Sequence, residues 1–285
     1  MIRKVLLMAA IGLAGVIVGC DIAGGRMGAG GNSFSLEQAG HLLNAGGHLF
    51  NAATLGEKDE DAIGQSVAVS LSNRYQLSSD ERLQRYVNLV GLTVADASPN
   101  AGGNWVFGVL ETPEVNAFSG PNGYVFVTRG ALMHMQNEAE LAGVLAHEIS
   151  HVCSHDGLNQ VKAAEQRGAL SEGIKAADQR TAQFGAFADE GVNIVTAEGY
   201  TKPQEFAADQ HGVEIMAAAG YDPSSYLHFL QGLQNGGGGA SGGQLMGTHP
   251  GLNERVANVA KQVSGMRPGG ATLQQRFANN TGNAR

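Results

Sequence analysis

The chain has 285 residues, 43% of them hydrophobic and 15% charged, which suits a folded globular body and argues against a polytopic membrane protein. Eighteen basic residues against 26 acidic ones leave a net charge of −8 with no basic patch, so the composition speaks against nucleic acid as a partner. There are only two cysteines, Cys20 and Cys153.

The chain opens with MIRKVLLMAAIGLAGVIVGC, in which Arg3 and Lys4 precede an apolar run from Val5 to Val18. That run is too short to span a bilayer comfortably and reads as a secretory leader, residues 1–19. Ile17-Val18-Gly19-Cys20 resembles the lipobox of bacterial lipoproteins, which implies cleavage before Cys20 and diacylglycerol on its sulfur. Localisation in the bacterial cell envelope, facing the periplasm, follows from that resemblance; Asp21 leaves the choice of inner or outer membrane open. Without Arg3 and Lys4 the mature body is near −10, with 16 basic residues against 26 acidic. With Cys20 lipidated only Cys153 keeps a thiol, so core packing and any metal must hold the fold.

Residues 20–35 are glycine-rich and read as a flexible tether. Ile63, Val67 and Leu71 recur every four residues and predict a helix over 61–75. A second amphipathic helix follows the cap signal Ser78-Ser79-Asp80, with Leu83, Tyr86, Val87, Val90 and Val94 on one face. Then the period changes. NWVFGVL (104–110), VNAF (115–118) and GYVFVT (123–128), with the turn cluster Gly120-Pro121-Asn122-Gly123, predict a small, largely antiparallel sheet of about three or four strands. Asn137 and Glu140 predict a capping box that opens a helix through Leu141, Val144, Leu145 and Val152. Residues 158–199 read as helical but weakly patterned. A further helix starts near Thr201, with Pro203 in its first turn and Gly220 past its end. GGGGASGG (236–243) reads as a mobile loop. Leu252, Val256, Val259 and Val263 describe the last amphipathic helix, and the polar tail, residues 266–285, reads as disordered.

The stretch LAGVLAHEISHVCSHDG (141–157) carries the chemistry. On a helix, positions four apart lie roughly 40° from each other, so His147 and His151 face one cation, and Glu148 beside them can act as general base on water. Zinc suits such an imidazole-rich site. The motif's apolar flanks also bury these polar groups, which then need partners.

Two histidines leave a third ligand to find. The extension HExxHxxGxxH is excluded, because Ser154 and Gly157 stand where Gly and His are required. His155 lies too far along the helix from His147, and Cys153 points about 200° away from His151. Glu205, in QEFAAD, is the best candidate and completes a His₂Glu set with an open position. Asp209, one turn later, is placed to accept the free N–H of a liganding histidine. The competing reading is an ordinary acidic helix face. In THPGLNERVANV, His249 and Arg255 are candidates to stabilise an oxyanion, and His249 also to approach the zinc at rest; capping and a surface ion pair are their plainer alternatives.

Together these residues resemble the M48 family of zinc metallopeptidases, in its bacterial periplasmic lipoprotein branch. The resemblance covers about Glu57 to Val263 and rests on IGQSVAVSL, LQRYVNLVG, VNAFSGPNGYVFVTRGAL, NEAELAGVLAHEISHVCSH, EFAAD and THPGLNERV in order. It departs from the family pattern at Ser150 and at Cys153-Ser154, none of them a candidate ligand.

The resemblance implies an α+β, mostly helical, gluzincin-like domain over 36–265. One zinc would sit on His147, His151 and Glu205, with Glu148 as base and Asp209 in support. Substrate would be extended polypeptide, added to the sheet edge at Asn116, Ala117 and Phe118. The expected activity is endopeptidase action on unfolded or misassembled envelope proteins. An envelope chaperone with weak or no proteolysis, and a lipoprotein that zinc merely staples, are the alternatives.

Overall fold

The computed structural model describes residues 27–29, 32–34, 57–166, 191–235 and 248–282. Cys20, the leader, most of the tether, the glycine-rich loop and much of 158–199 lie outside the described residues. Within the tether, β1 (Met27–Ala29) and β2 (Asn32–Phe34) pair antiparallel, a short hairpin where an unstructured segment is expected.

Helix α1 (Glu57–Tyr75) is followed by α2 (Glu81–Ala95), whose start is fixed by Asp80 accepting from the Leu83 N–H at 3.0 Å. The face predicted for α2 is the face it buries. Three strands come next: β3 (Val106–Leu110), β4 (Ala117–Gly120) and, after one 3-10 turn at Pro121–Gly123, β5 (Tyr124–Thr128). Their order is β3-β5-β4, with β4 antiparallel and β3 parallel to β5.

The expected sheet was largely antiparallel, and this corrects it to a mixed one. The turn at Gly120–Gly123 makes the β4–β5 hairpin, but β5 inserts between its predecessors and so meets β3 head to head. Alternation along a strand reports which face is buried, and says nothing of its partner's direction.

That alternation sorts the core into two clusters. Val125 and Val127 face one way, towards α2 and the HEISH helix, whereas Phe126 and Phe118 face the other, towards Ile63, Val67 and Leu71 of α1. The central strand is thus covered on both sides, as its unbroken apolar run requires.

After the short α3 (Arg129–His134) come α4 (Glu138–Cys153), α5 (Asp156–Gln166), a π turn (Ile194–Glu198), α6 (Lys202–Ala218), α7 (Pro223–Asn235) and α8 (Leu252–Ser264). The architecture is α+β and mostly helical. No described helix is long and apolar enough to cross a membrane.

The tail departs from expectation as well. Gln274–Thr281 forms a helix, α9, whose Phe277 is fully buried and whose Arg276 pairs with Glu138 at the start of α4. Its sequence is polar apart from that phenylalanine and Ala278, so tertiary contact rather than an apolar stripe fixes it.

Candidate metal centre

The HEISH helix is enclosed along almost its whole length. Asn137 caps it by accepting from the Glu140 N–H at 3.0 Å, and Glu140 reaches back to the Gln136 N–H at 2.8 Å, one residue before the box expected. Every residue of α4 from Glu138 to Val152 is buried. A helix covered all round cannot shed its polar side chains to water. His147, Glu148 and His151 are therefore held inside, at 3%, 1% and 1% exposure.

Helix α6 supplies what they face. Gln204 accepts from the Thr201 N–H at 3.0 Å and so starts the helix. Further along, Gly212 lets the two backbones touch: a Cβ there would lie 3.1 Å from the His147 nitrogen. This close approach brings Glu205, 0% exposed, against both histidines.

The two Nε2 atoms are 3.2 Å apart, and the Glu205 carboxylate stands 3.5 Å from His147 Nε2 and 3.4 Å from His151 Nε2. Four donors at about 2.0–2.1 Å from a tetrahedral ion lie about 3.3–3.4 Å from one another, so this spacing fits a shared small cation. His249 joins them, and all four residues offer ligand atoms within 4.8 Å of each other.

The other ring nitrogens are tied down. His147 Nδ1 lies 3.0 Å from Asp209 and His151 Nδ1 lies 2.8 Å from Asp156, which fixes both rings with Nε2 turned inward. Tyr200 stacks on His151 at 4.0 Å between centroids. Burial and the Arg255 charge push the His147 pKa down, but the Asp209 and Glu205 carboxylates outweigh them and push it up to about 9. Burial would raise Glu205, yet His249 and Arg255 hold it well below the usual carboxylate range. The Glu205 carboxylate is thus held anionic.

His249 arrives through a tight crossing. Gly199, at φ 68°, passes so close to Thr248 that a Cβ would sit 2.0 Å from the Thr248 carbonyl oxygen, which accepts from the Tyr200 N–H at 3.2 Å. From there His249 Nδ1 reaches Glu205 at 3.1 Å and its Nε2 lies 3.8 Å from Glu148 Oε1. The other Glu148 oxygen, Oε2, accepts from the Ser119 hydroxyl at 2.7 Å.

Arg255, expected near an oxyanion, is instead committed within the protein. Its guanidinium donates to Asp209 at 2.8 and 2.7 Å and to the Tyr226 hydroxyl at 3.0 Å, and pairs with Glu205 at 2.7 Å. It also contributes to the wall of the adjoining cavity. Of the expected strand edge, Asn116, Ala117 and Phe118 are all buried, and Ala117 lines that cavity. The Phe118 ring turns to the far face and stacks on Tyr75 at 5.5 Å. Asn116 Nδ2 has no hydrogen-bond partner among the described residues. His155 stays out of the cluster, with Nδ1 on Glu60 at 2.8 Å, and Cys153 is a half-buried free thiol.

Sequence reasoning missed Asp156, Ser119, Tyr200 and Tyr226. Asp156 stood within the motif stretch, five residues past His151. Tyr226 stood on a helix not foreseen, though Asp222-Pro223 followed by Tyr226, Phe229, Leu230 and Leu233 spells one.

Known proteins resemble this chain in sequence. Among its relatives are the beta-barrel assembly-enhancing protease of Escherichia coli, 28% identical over 227 residues, and metalloprotease YcaL of the same organism, 26% identical over 232. The first match covers 76% of this chain and 46% of that protein, and the second 78% and 87%. The mitochondrial metalloendopeptidase OMA1 of Arabidopsis thaliana is 28% identical over 194 residues, covering 67% of this chain and 38% of that protein. The chain spans about half the length of the beta-barrel assembly-enhancing proteases it matches. Residues 79–263 match the family model described as Peptidase family M48, a match that takes in all four clustered residues, and the chain belongs to that family.

Proposed function

We propose that the chain is a zinc-dependent endopeptidase that cuts extended polypeptide. One observation carries this reading: two imidazoles and a carboxylate converge at tetrahedral spacing, directly beside a buried glutamate, in a cleft bordered by a strand edge. The donor set, two nitrogens and a carboxylate with every outer partner in place, suits zinc, one ion per chain, on His147, His151 and Glu205. When bound, zinc supplies Lewis acidity, polarising the scissile carbonyl and acidifying water.

The protein's own groups do the rest. Ser119 fixes Glu148 through Oε2, leaving Oε1 to take a proton from the attacking water and hand it to the leaving amine. His249, facing both Glu148 and Glu205, sits where negative charge develops on the carbonyl oxygen. Arg255 is a positioning residue in this reading, holding Asp209 and Glu205 rather than touching substrate. Substrate backbone pairs with the edge at Asn116, Ala117 and Phe118.

The substrates fitted to such an edge are unfolded or misassembled envelope proteins, in keeping with relatives named for enhancing beta-barrel assembly. A lipid on Cys20 would hold the domain at the membrane surface on the periplasmic side. The test combines elemental analysis with casein degradation. Protein purified without chelators should carry about one zinc per chain, and a chelator should abolish cleavage until zinc is restored. Glu148→Gln should keep the zinc and lose about 10²- to 10⁴-fold in rate. Zinc-free active protein, or an unimpaired Glu148→Gln, defeats the proposal.

A further inference from the structure

Another cavity, which shares no residue with the metal cluster, lies between α2 and α9. Its volume of about 320 Å³ falls in the range of small-ligand sites, about 300–1,000 Å³. Arg82, Arg85, Leu89 and Val90 of α2 line one side, and Arg276 and Asn280 of α9 the other. The sequence has no basic run in either segment. Folding gathers the three arginines, and the bond from Arg82 to Asn280 that joins the two walls spans 198 residues.

The protein supplies little counter-charge to this cluster. Glu138, behind the wall, is already taken by Arg276 and by the hydroxyls of Tyr86 and Tyr221, which also border the cavity. Arg82 donates to neutral acceptors, the Asn279 carbonyl at 2.6 Å and Asn280 Oδ1 at 3.4 Å. Arg85 is exposed, and among the described residues neither it nor Arg82 has a carboxylate partner. From Arg255 to Arg285 the sequence holds five basic residues and no acidic one, so the α9 side brings no competing carboxylate. Arg82 and Arg85 are neighbours on one helix face, and two like charges so placed repel until an anion joins them.

The cavity also has an apolar end. Leu89, one turn beyond Arg85, is 48% exposed, one of three large apolar side chains left so among the described residues. A ligand matched to this layout carries an anion at one end and hydrocarbon at the other. Guanidinium forks fit phosphate oxygens in particular. We propose that the cavity binds the headgroup of an anionic phospholipid: Arg82, Arg85 and Arg276 hold the phosphate, and Leu89 and Val90 receive the first carbons of the acyl chains. The claim is independent of the chemistry at the metal centre. A lipid on Cys20 would keep the domain at a membrane surface, and this site would set which face of the domain meets it.

Short-chain lipids below their micelle concentration test this on the full chain, with no bilayer for the Cys20 lipid to enter. Calorimetric titration compares dihexanoyl phosphatidylglycerol with three controls: dihexanoyl phosphatidylcholine, glycerophosphoglycerol and a Gly/Ser octapeptide bearing two central glutamates. The phosphatidylglycerol should bind about tenfold or more tighter than each control, and its affinity should fall as salt rises. Arg85→Gln, which breaks no hydrogen bond within the protein, should weaken it about fivefold. Arg82→Gln should weaken it at least as much, since it also cuts the bonds to α9. Leu89→Ser should cost the lipid about threefold and leave glycerophosphoglycerol unchanged. Equal binding of phosphatidylcholine would mark a plain apolar site, equal binding of glycerophosphoglycerol a soluble phosphate-ester site, and equal or tighter binding of the octapeptide a peptide site. Each of these overturns the inference, as does no binding of the phosphatidylglycerol or an unimpaired Arg85→Gln.

Discussion

Helix α4 carries two buried charge clusters, and they are built on opposite principles. At its start, Glu138 is fully buried and fully answered: Arg276 pairs with it, the Tyr86 hydroxyl donates at 2.9 Å and the Tyr221 hydroxyl at 2.7 Å. Three turns later, His147, His151, Glu205 and His249 bring ligand atoms within 4.8 Å of one another, with Asp209 and Asp156 behind the two imidazoles of α4. The first is complete in itself and ties down the chain. The second is compatible with a metal ion. A buried ion pair whose valences close marks structure, and one whose valences converge marks a site.

That contrast breaks most sharply at Glu205. Glu205→Ala should cost nearly all bound metal and all metal-dependent cleavage, measured by elemental analysis and casein degradation, because two imidazoles alone leave the ion underligated. One step out, Tyr226→Phe removes the hydroxyl that Asp209 and Arg255 share. Metal affinity should fall by about 10-fold, within the range seen for such outer partners, as read by competition with a chelating dye.

Ser119→Ala should lower kcat by roughly 5- to 10-fold with KM unchanged, the loss of one hydrogen bond to a charged group, and Ser119→Thr should recover most of it. The smallest effect belongs to the closed cluster. Glu138→Gln should leave metal content untouched and lower the melting temperature by about 2–4 °C, because Arg276 is more than half exposed and its pairing is screened. Burial would raise the Glu138 pKa, but the bonds from Arg276, Tyr221 and Tyr86 together hold it below 4.5. Its contribution is therefore present above that value and lost below it, so the parent's advantage over Glu138→Gln should shrink as the pH falls from 4.5.

How much of this a reader of the sequence could see follows the same division. His147, Glu148 and His151 were legible as one face because helical spacing is local: four residues apart means one face, whatever the rest of the chain does; Glu205 and Asp209 were legible as a pair on a second helix, joined to the first through the EFAAD motif. The two main amphipathic helices and the strand segments were legible for the same reason. Arg255 and His249 were visible as residues but not in their directions, since those depend on how α8 docks on α6. Ser119 was hidden, as any serine on a strand is, until the strand met α4. The parallel pairing of β3 and β5 and the docking of α9 through Phe277 both rest on contacts between distant segments, and no local pattern encodes them.

The reach of those distant contacts has a kinetic consequence. His147 meets Glu205 from 58 residues downstream and Arg255 from 108, while Glu138 meets Arg276 from 138. Closing loops of that span precedes any reward from the contacts they make, so the cluster is a late event in folding, after the local helices have formed. During synthesis the HEISH helix emerges well before the glutamate that completes it. On the proposed reading, a chain that cuts unfolded polypeptide thus has no working site while it is itself unfolded.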